Sequence, residues 1–253
     1  MVIPSYDFAN KQDFVQLAHN GLNLIRNGVV SNHLNARMDA GRDSLRKPHR
    51  LGFFLVNDKE GPYLNRFRGM LQYAYSISLG PELIWQNGVS MGMVNIAIKP
   101  NDAQFTESVY APDADLGTFL RRRNLYGGVS VNQLFNNQMR FLHGTIHRYR
   151  FYSITAGFIK TITPRMDLKM DVYGRTGNYT YNKFVFSTSL LFSNHMVVGL
   201  SAKSSNGIIP IVGIRDLPVL KNKFTFLFSY LIPTSRVILA GSGNFELQLE
   251  YKF

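Results

Sequence analysis

Two histidines four residues apart, His143 and His147, are the closest this chain comes to a metal-binding pair. On a helix that spacing puts both imidazoles on one face, but no glutamate follows the first histidine and no third ligand is evident. Two pairs of carboxylates have the spacing of one strand face: Asp167 with Asp171, and Glu246 with Glu250. Paired carboxylates can carry out acid–base chemistry. Nothing in the flanking sequence suggests a cleft, however, and Arg66, Arg68 and Lys169 could neutralise them as a structural network. The chain has no Gly-x-Ser-x-Gly elbow, phosphate loop or dinucleotide fingerprint, and it contains no cysteine. We therefore expect no catalytic residue, no metal and no cofactor.

The elements that carry these residues are constrained by composition. Over 253 residues the net charge is +12, charged residues make up 17% and aromatics 13%, mostly Phe and Tyr. Soluble domains carry roughly 25% charged residues. No apolar run reaches the roughly 18 residues that a membrane-spanning helix needs, and the longest ones, 196–200 and 207–214, are strand-sized. A basic excess suggests an acidic partner, commonly nucleic acid. There is no helix-turn-helix pattern, zinc spacing or basic helix, so nucleic acid is not expected. Few charges, many aromatics and no apolar helix suit a membrane barrel, whose strands turn one side to lipid and the other to a polar lumen.

Period-two alternation supports strands. At the end of the chain, Phe245, Leu247, Leu249, Tyr251 and Phe253 alternate with Glu246, Gln248, Glu250 and Lys252. Phe67, Leu71, Tyr73 and Tyr75 alternate with Arg68, Met70, Gln72 and Ala74, and Phe224, Phe226, Phe228, Tyr230 and Ile232 share a face. Turn residues divide the chain into strand-sized pieces at 14–27, 29–40, 50–58, 64–79, 82–98, 113–121, 124–134, 147–163, 166–175, 180–193, 195–204, 207–217, 222–233 and 243–253. We expect an all-β fold: a transmembrane antiparallel up-and-down β-barrel of 14 strands, one domain over 1–253, with 1–13 as a periplasmic N-terminal segment. The first residues lack both the basic start and the apolar core of a signal peptide. For a bacterial outer-membrane protein, a signal is expected in the precursor, ahead of this chain.

Connection lengths fix an expected orientation, because such barrels have short periplasmic turns and longer external loops. Tight links at Gly80-Pro81, Arg122-Arg123, Pro164-Arg165 and Asn194 alternate with longer ones at 99–112, 135–146 and 234–242. On this topology Arg46, Lys47, Arg121, Arg122, Arg123 and Arg165 lie at periplasmic turns, as candidates for docking acidic periplasmic partners or anchoring to anionic outer-membrane lipids. The external segment 99–115 instead carries Asp102, Glu107, Asp113 and Asp115, with Phe105 and Tyr110 as candidate contacts for an extracellular partner.

One stretch resembles a known family. Leu51-Gly52-Phe53-Phe54-Leu55-Val56-Asn57-Asp58-Lys59-Glu60-Gly61-Pro62 is similar to the strand-and-turn element of the PorP/SprF family, with Asn57, Asp58, Gly61 and Pro62 as its turn residues. The aromatic strand at 67–79, the segment 125–134, Val198-Gly199-Leu200-Ser201 and the terminal strand resemble the same family, so the similarity covers most of 50–253 and departs over 7–48. The resemblance implies an outer-membrane barrel of the type IX secretion and gliding-motility apparatus. It further implies a non-enzymatic role in exporting or anchoring surface adhesins. The implied partners are a secreted surface adhesin or its C-terminal domain, together with periplasmic and outer-membrane secretion components at the cell surface. Two other functions are compatible with the residues: a passive, anion-preferring pore, and an outer-membrane lipid hydrolase.

Overall fold

A computed structural model describes residues 14–22, 29–39, 48–60, 63–99, 106–142, 144–177, 180–193, 195–204, 207–219, 222–234 and 244–252. Its strands are β1 (Phe14–Leu22), β2 (Val29–Asp39), β3 (His49–Glu60), β4 (Leu64–Ser78), β5 (Leu83–Ile98), β6 (Glu107–Arg122), β7 (Leu125–Asn132), β8 (Gln138–Phe141), β9 (Gly144–His147), β10 (Phe151–Thr163), β11 (Met166–Gly177), β12 (Thr180–Phe192), β13 (Met196–Lys203), β14 (Gly207–Val219), β15 (Asn222–Pro233) and β16 (Asn244–Lys252). All except β8 and β9 close into one 14-stranded barrel in which each strand is antiparallel to its neighbours. The ring shuts where β1 pairs with β16, from Phe14 opposite Lys252 to Leu22 opposite Asn244. Closure leaves no open edge along the circumference, which is what a sheet needs in lipid, where unpaired backbone groups find no water.

The alternation seen along single strands becomes two surfaces once the strands are paired, because residues opposite one another point to the same side. Phe224 faces Tyr251, Phe226 faces Leu249, Phe228 faces Leu247 and Tyr230 faces Phe245, with the Phe224 and Tyr251 rings 4.8 Å apart. Farther round the ring Leu51 faces Tyr73 and Leu71 faces Met91. All of these side chains point outward, and Leu71 remains 73% exposed. An apolar surface of this extent is unfavourable in water and suited to hydrocarbon. The inward face includes polar rows: Gln72, Ser90 and Asp115 are successive partners across β4, β5 and β6.

The start of β1, the end of β16 and the short turns share one end, the turn end. There β4 is followed by β5 after 79–82, β6 by β7 after 123–124, β10 by β11 after 164–165 and β12 by β13 after 193–195. At the opposite, loop end the connection 133–150 between β7 and β10 holds the β8–β9 hairpin. Several features differ from the expectation. β6 begins at Glu107 rather than 113, because Pro112 does not stop it: its missing N–H faces away from β5, on the side that β7 has already left at Asn132. Arg122 belongs to the strand, and the turn is Arg123–Asn124, with Arg123 in the left-handed region at φ 47°. Asn57 and Asp58 lie within β3 rather than in a turn, while Gly61 and Pro62 fall outside the described residues.

Candidate functional site

The longest described connection folds inward. β7 ends at Asn132, Gln133 adopts φ 58° and Asn136 φ 50°, and the chain then makes a four-pair hairpin of β8 and β9. The hairpin is amphipathic by alternation: Met139 pairs with Ile146, and Phe141 stands on the same face as Met139. That face packs on lumen-facing Val94, Ile96 and Ala111 of β5 and β6, with Leu64, Ile98 and Val109 around them. Met139 is buried to 1% exposure. The polar faces of Gln138 and Arg140 remain exposed. The hairpin thus covers the inner wall of β4–β6 at the loop end, as a plug.

Charged groups pin it. Asp113 is 1% exposed; it accepts from Arg68 Nε at 2.9 Å and from Arg148 Nη2 at 3.1 Å, just beyond β9. Asp115, two residues along the same face, accepts two bonds from Arg68 Nη2 at 3.0 and 2.8 Å, one from Ser90 Oγ at 3.2 Å and one from the Gln133 amide at 3.0 Å. Charge-assisted forks of this kind are strong where water is excluded. Backbone bonds add to the anchor: Arg148 N donates to Asn137 O at 2.8 Å, Leu142 N to the Glu107 carboxylate at 2.7 Å and Asn137 Nδ2 to Pro112 O. Asp113 and Asp115, expected in an external acidic segment, are lumen residues. Pro112 concealed the alternation of Tyr110, Pro112, Ala114 and Leu116 with Ala111, Asp113 and Asp115.

Toward the turn end from the plug, a cavity of about 440 Å³ remains in the lumen, bordered by β3–β7, β10 and β11. Farther on, Tyr126 OH donates to Asp171, whose other oxygen is 3.3 Å from Lys169 Nζ. Asp171 and Lys169 therefore form the structural pairing expected of the lumen acids, while Arg68 has gone to Asp113 and Asp115 instead. Among the histidines, His147 stacks on Tyr149 with ring centroids 5.7 Å apart, and His143 lies outside the described residues.

At the turn end the candidate arginines occupy separate turns. Arg121 Nε donates to Arg123 O at 3.3 Å, and Arg122 is exposed on the outer face. Arg123 is paired with Glu82 of the β4–β5 turn, and its amide donates to Glu82 O at 3.3 Å. Arg165 is exposed in the β10–β11 turn and accepts at its carbonyl from Ser193 N at 2.6 Å. Arg215 N donates to His195 O at 2.6 Å. Turn-to-turn bonds thus lace part of a basic rim, but they do not bring Arg165 to the Arg121–Arg123 group. Arg46 and Lys47 fall outside the described residues. At the loop end Tyr110 is exposed on the outer face of β6, and Phe105 falls outside the described residues. The sequence pointed to the rim. It gave no notice of the plug, although the short alternation Met139, Phe141 and Ile146 around Gly144 is the signal that could have revealed it.

The barrel has the fold of known outer-membrane channels. The Pseudomonas putida toluene transporter TodX aligns with a TM-score of 0.57 at 9% identity, over 97% of this chain and 91% of that one. A Pseudomonas aeruginosa FadL homologue aligns with a TM-score of 0.57 at 9% identity, over 96% and 90%. At such identities the likeness is one of fold. No curated protein matches the sequence significantly. The family described as Type IX secretion system membrane protein PorP/SprF matches residues 5–251, so the match also spans the stretch 7–48 that departs from the motifs. With an apolar outer belt, a closed ring of strands and this match along nearly its whole length, the chain is an outer-membrane β-barrel that belongs to the PorP/SprF family of type IX secretion system membrane proteins.

Proposed function

We propose that this barrel is a partner-holding scaffold of the secretion apparatus, neither an open pore nor an enzyme. The observation that carries the reading is the plug: an apolar hairpin seated on the lumen wall and tied by Arg68, Asp113 and Arg148. A lumen narrowed in this way suits a protein that works through its surfaces. Short turns mark the periplasmic end in such barrels, which puts Arg121, Arg122, Arg123 and Arg165 toward the periplasm. There they form a docking rim for acidic secretion components and a contact for lipid headgroups. Tyr110, exposed on the outer face of β6, and Phe105 of the same segment are the contacts for the exported adhesin or its C-terminal domain.

The test has three arms. Charge reversal of Arg121, Arg122 and Arg123 to Glu should abolish co-purification of periplasmic secretion components while the barrel still reaches the outer membrane; unchanged co-purification rejects the docking rim. In planar bilayers the purified chain should be electrically silent. Steady, anion-selective current would favour the passive pore instead, a reading supported by the chain's +12 net charge. At the other end, Tyr110→Ser should reduce adhesin display at the cell surface, and wild-type display would remove Tyr110 from the contact. A deletion across this loop must stop short of Glu107, where β6 begins.

A further inference from the structure

Three of the residues that line the lumen cavity carry polar atoms without partners. Gln86 Nε2, Thr155 Oγ1 and Arg175 Nε are buried and have no hydrogen-bond partner, and all three residues line this cavity. Gln86 and Thr155 are only 5% and 8% exposed. They stand on β5, β10 and β11, so strand pairing through β6 and β7 rather than local sequence puts them on one wall. Buried polar groups in folded proteins are overwhelmingly paired, and several unpaired ones around a single void point to what the void receives. Gln86 Nε2 and Arg175 Nε can only donate, and Thr155 Oγ1 can do so. The missing partner therefore supplies acceptors.

Charge narrows it further. The Arg175 guanidinium lies 3.6 Å over the Phe151 ring, and Lys183 faces Arg175 across the β11–β12 ladder. Arg50 lines the cavity from β3. Among the described residues the one carboxylate on the cavity wall, Asp115, is already engaged by Arg68, Ser90 and Gln133. The acceptor is thus best an anion. Shape supplies the rest. Ala74, Gly88 and Gly117 are successive partners across β4, β5 and β6 and give a floor almost without side chains, while Phe119, Phe151 and Tyr173 bring rings to the same space. At about 440 Å³ the cavity falls within the range of small-molecule sites, roughly 300–1,000 Å³.

We propose that the lumen cavity binds a small organic anion, a carboxylate on a flat apolar body. The carboxylate is held by Arg175 and Thr155, on the neighbouring strands β11 and β10, and the body lies on the glycine floor against the aromatic rings, with Gln86 at its far edge. The site is independent of the docking rim and of the adhesin contact.

The full chain in lipid nanodiscs, titrated calorimetrically with 2-naphthoate and with neutral 2-naphthamide against empty nanodiscs, tests this. The expected result is saturable one-site binding of the acid, at least tenfold tighter than the amide and weakened at least tenfold by Arg175→Met. Gln86→Leu and Thr155→Val should each weaken it severalfold, and Lys183→Met less. Heat-modifiable gel mobility shows which variants fold, and Gln86→Leu and Thr155→Val carry the test if Arg175→Met does not. Equal affinity for acid and amide, no saturable binding, or unchanged affinity in the folded variants overturns the proposal.

Discussion

At the loop end the barrel turns its charges inward and matches them to one another. Asp113, Asp115, Arg68 and Arg148 are partly or wholly buried and share a dense set of hydrogen bonds beneath the hairpin. At the turn end the charges point outward: Arg123 is 72% exposed even though it pairs with Glu82, and Arg122 and Arg165 stand exposed on the rim. The same residue type therefore does different things at the two ends. A buried arginine orders the structure, because breaking its pair strands a charge away from water. An exposed one contributes little to stability and acts through association. On the proposed reading, integrity of the fold depends most on the plug, and encounter with partners depends most on the rim.

Substitutions can break this contrast or sharpen it. The largest effect is expected from Asp113→Ala, which leaves two guanidinium groups without their shared partner and should cost about 3–5 kcal/mol. Urea unfolding of the folded barrel in micelles measures it, and a loss below about 1 kcal/mol would mean that the loop-end network is as dispensable as a surface pair. Met139→Ala removes the side chain at the centre of the plug and should cost about 2–4 kcal/mol. Its effect should be local, read as faster amide exchange across 137–148 and as the onset of current through an otherwise silent barrel. Gly157→Ala tests the lower lumen. An added Cβ would lie 2.5 Å from Tyr126 Oη and 2.7 Å from Asp171 Oδ1, so a loss of about 1–3 kcal/mol is expected. A neutral result there would mean that the buried lattice stops at the plug. Smallest is Arg123→Ala, at no more than about 1 kcal/mol by the same unfolding measurement. A large loss would show that the rim, too, is structural.

How much was legible in the sequence varies by element. Strand faces were the clearest, because alternation is a property of consecutive residues: the terminal strand and its neighbour at 222–233 meet face to face, as their apolar positions predict. The basic turns were legible because tight turns and long loops alternate along the chain. Pro112 hid the start of β6, since a proline reads as a break unless the missing donor is known to face an edge. The hairpin at 138–147 read as loop, because two four-residue strands are too short for alternation to stand out from chance.

The sequence by itself determined that the chain is a β-barrel with an apolar outside, which way its strands face, and the family to which it belongs. These follow from period-two chemistry and from motifs written in consecutive residues. Only the tertiary structure decided that Asp113 meets Arg68 and Arg148, 45 and 35 residues away, that the hairpin turns inward, and that Gln86, Thr155 and Arg175 border one cavity. The physical reason is register. Alternation says which side of the wall a residue faces, but its neighbours on that side depend on how each strand slides along the next and on where the ring closes. No local pattern records those two quantities.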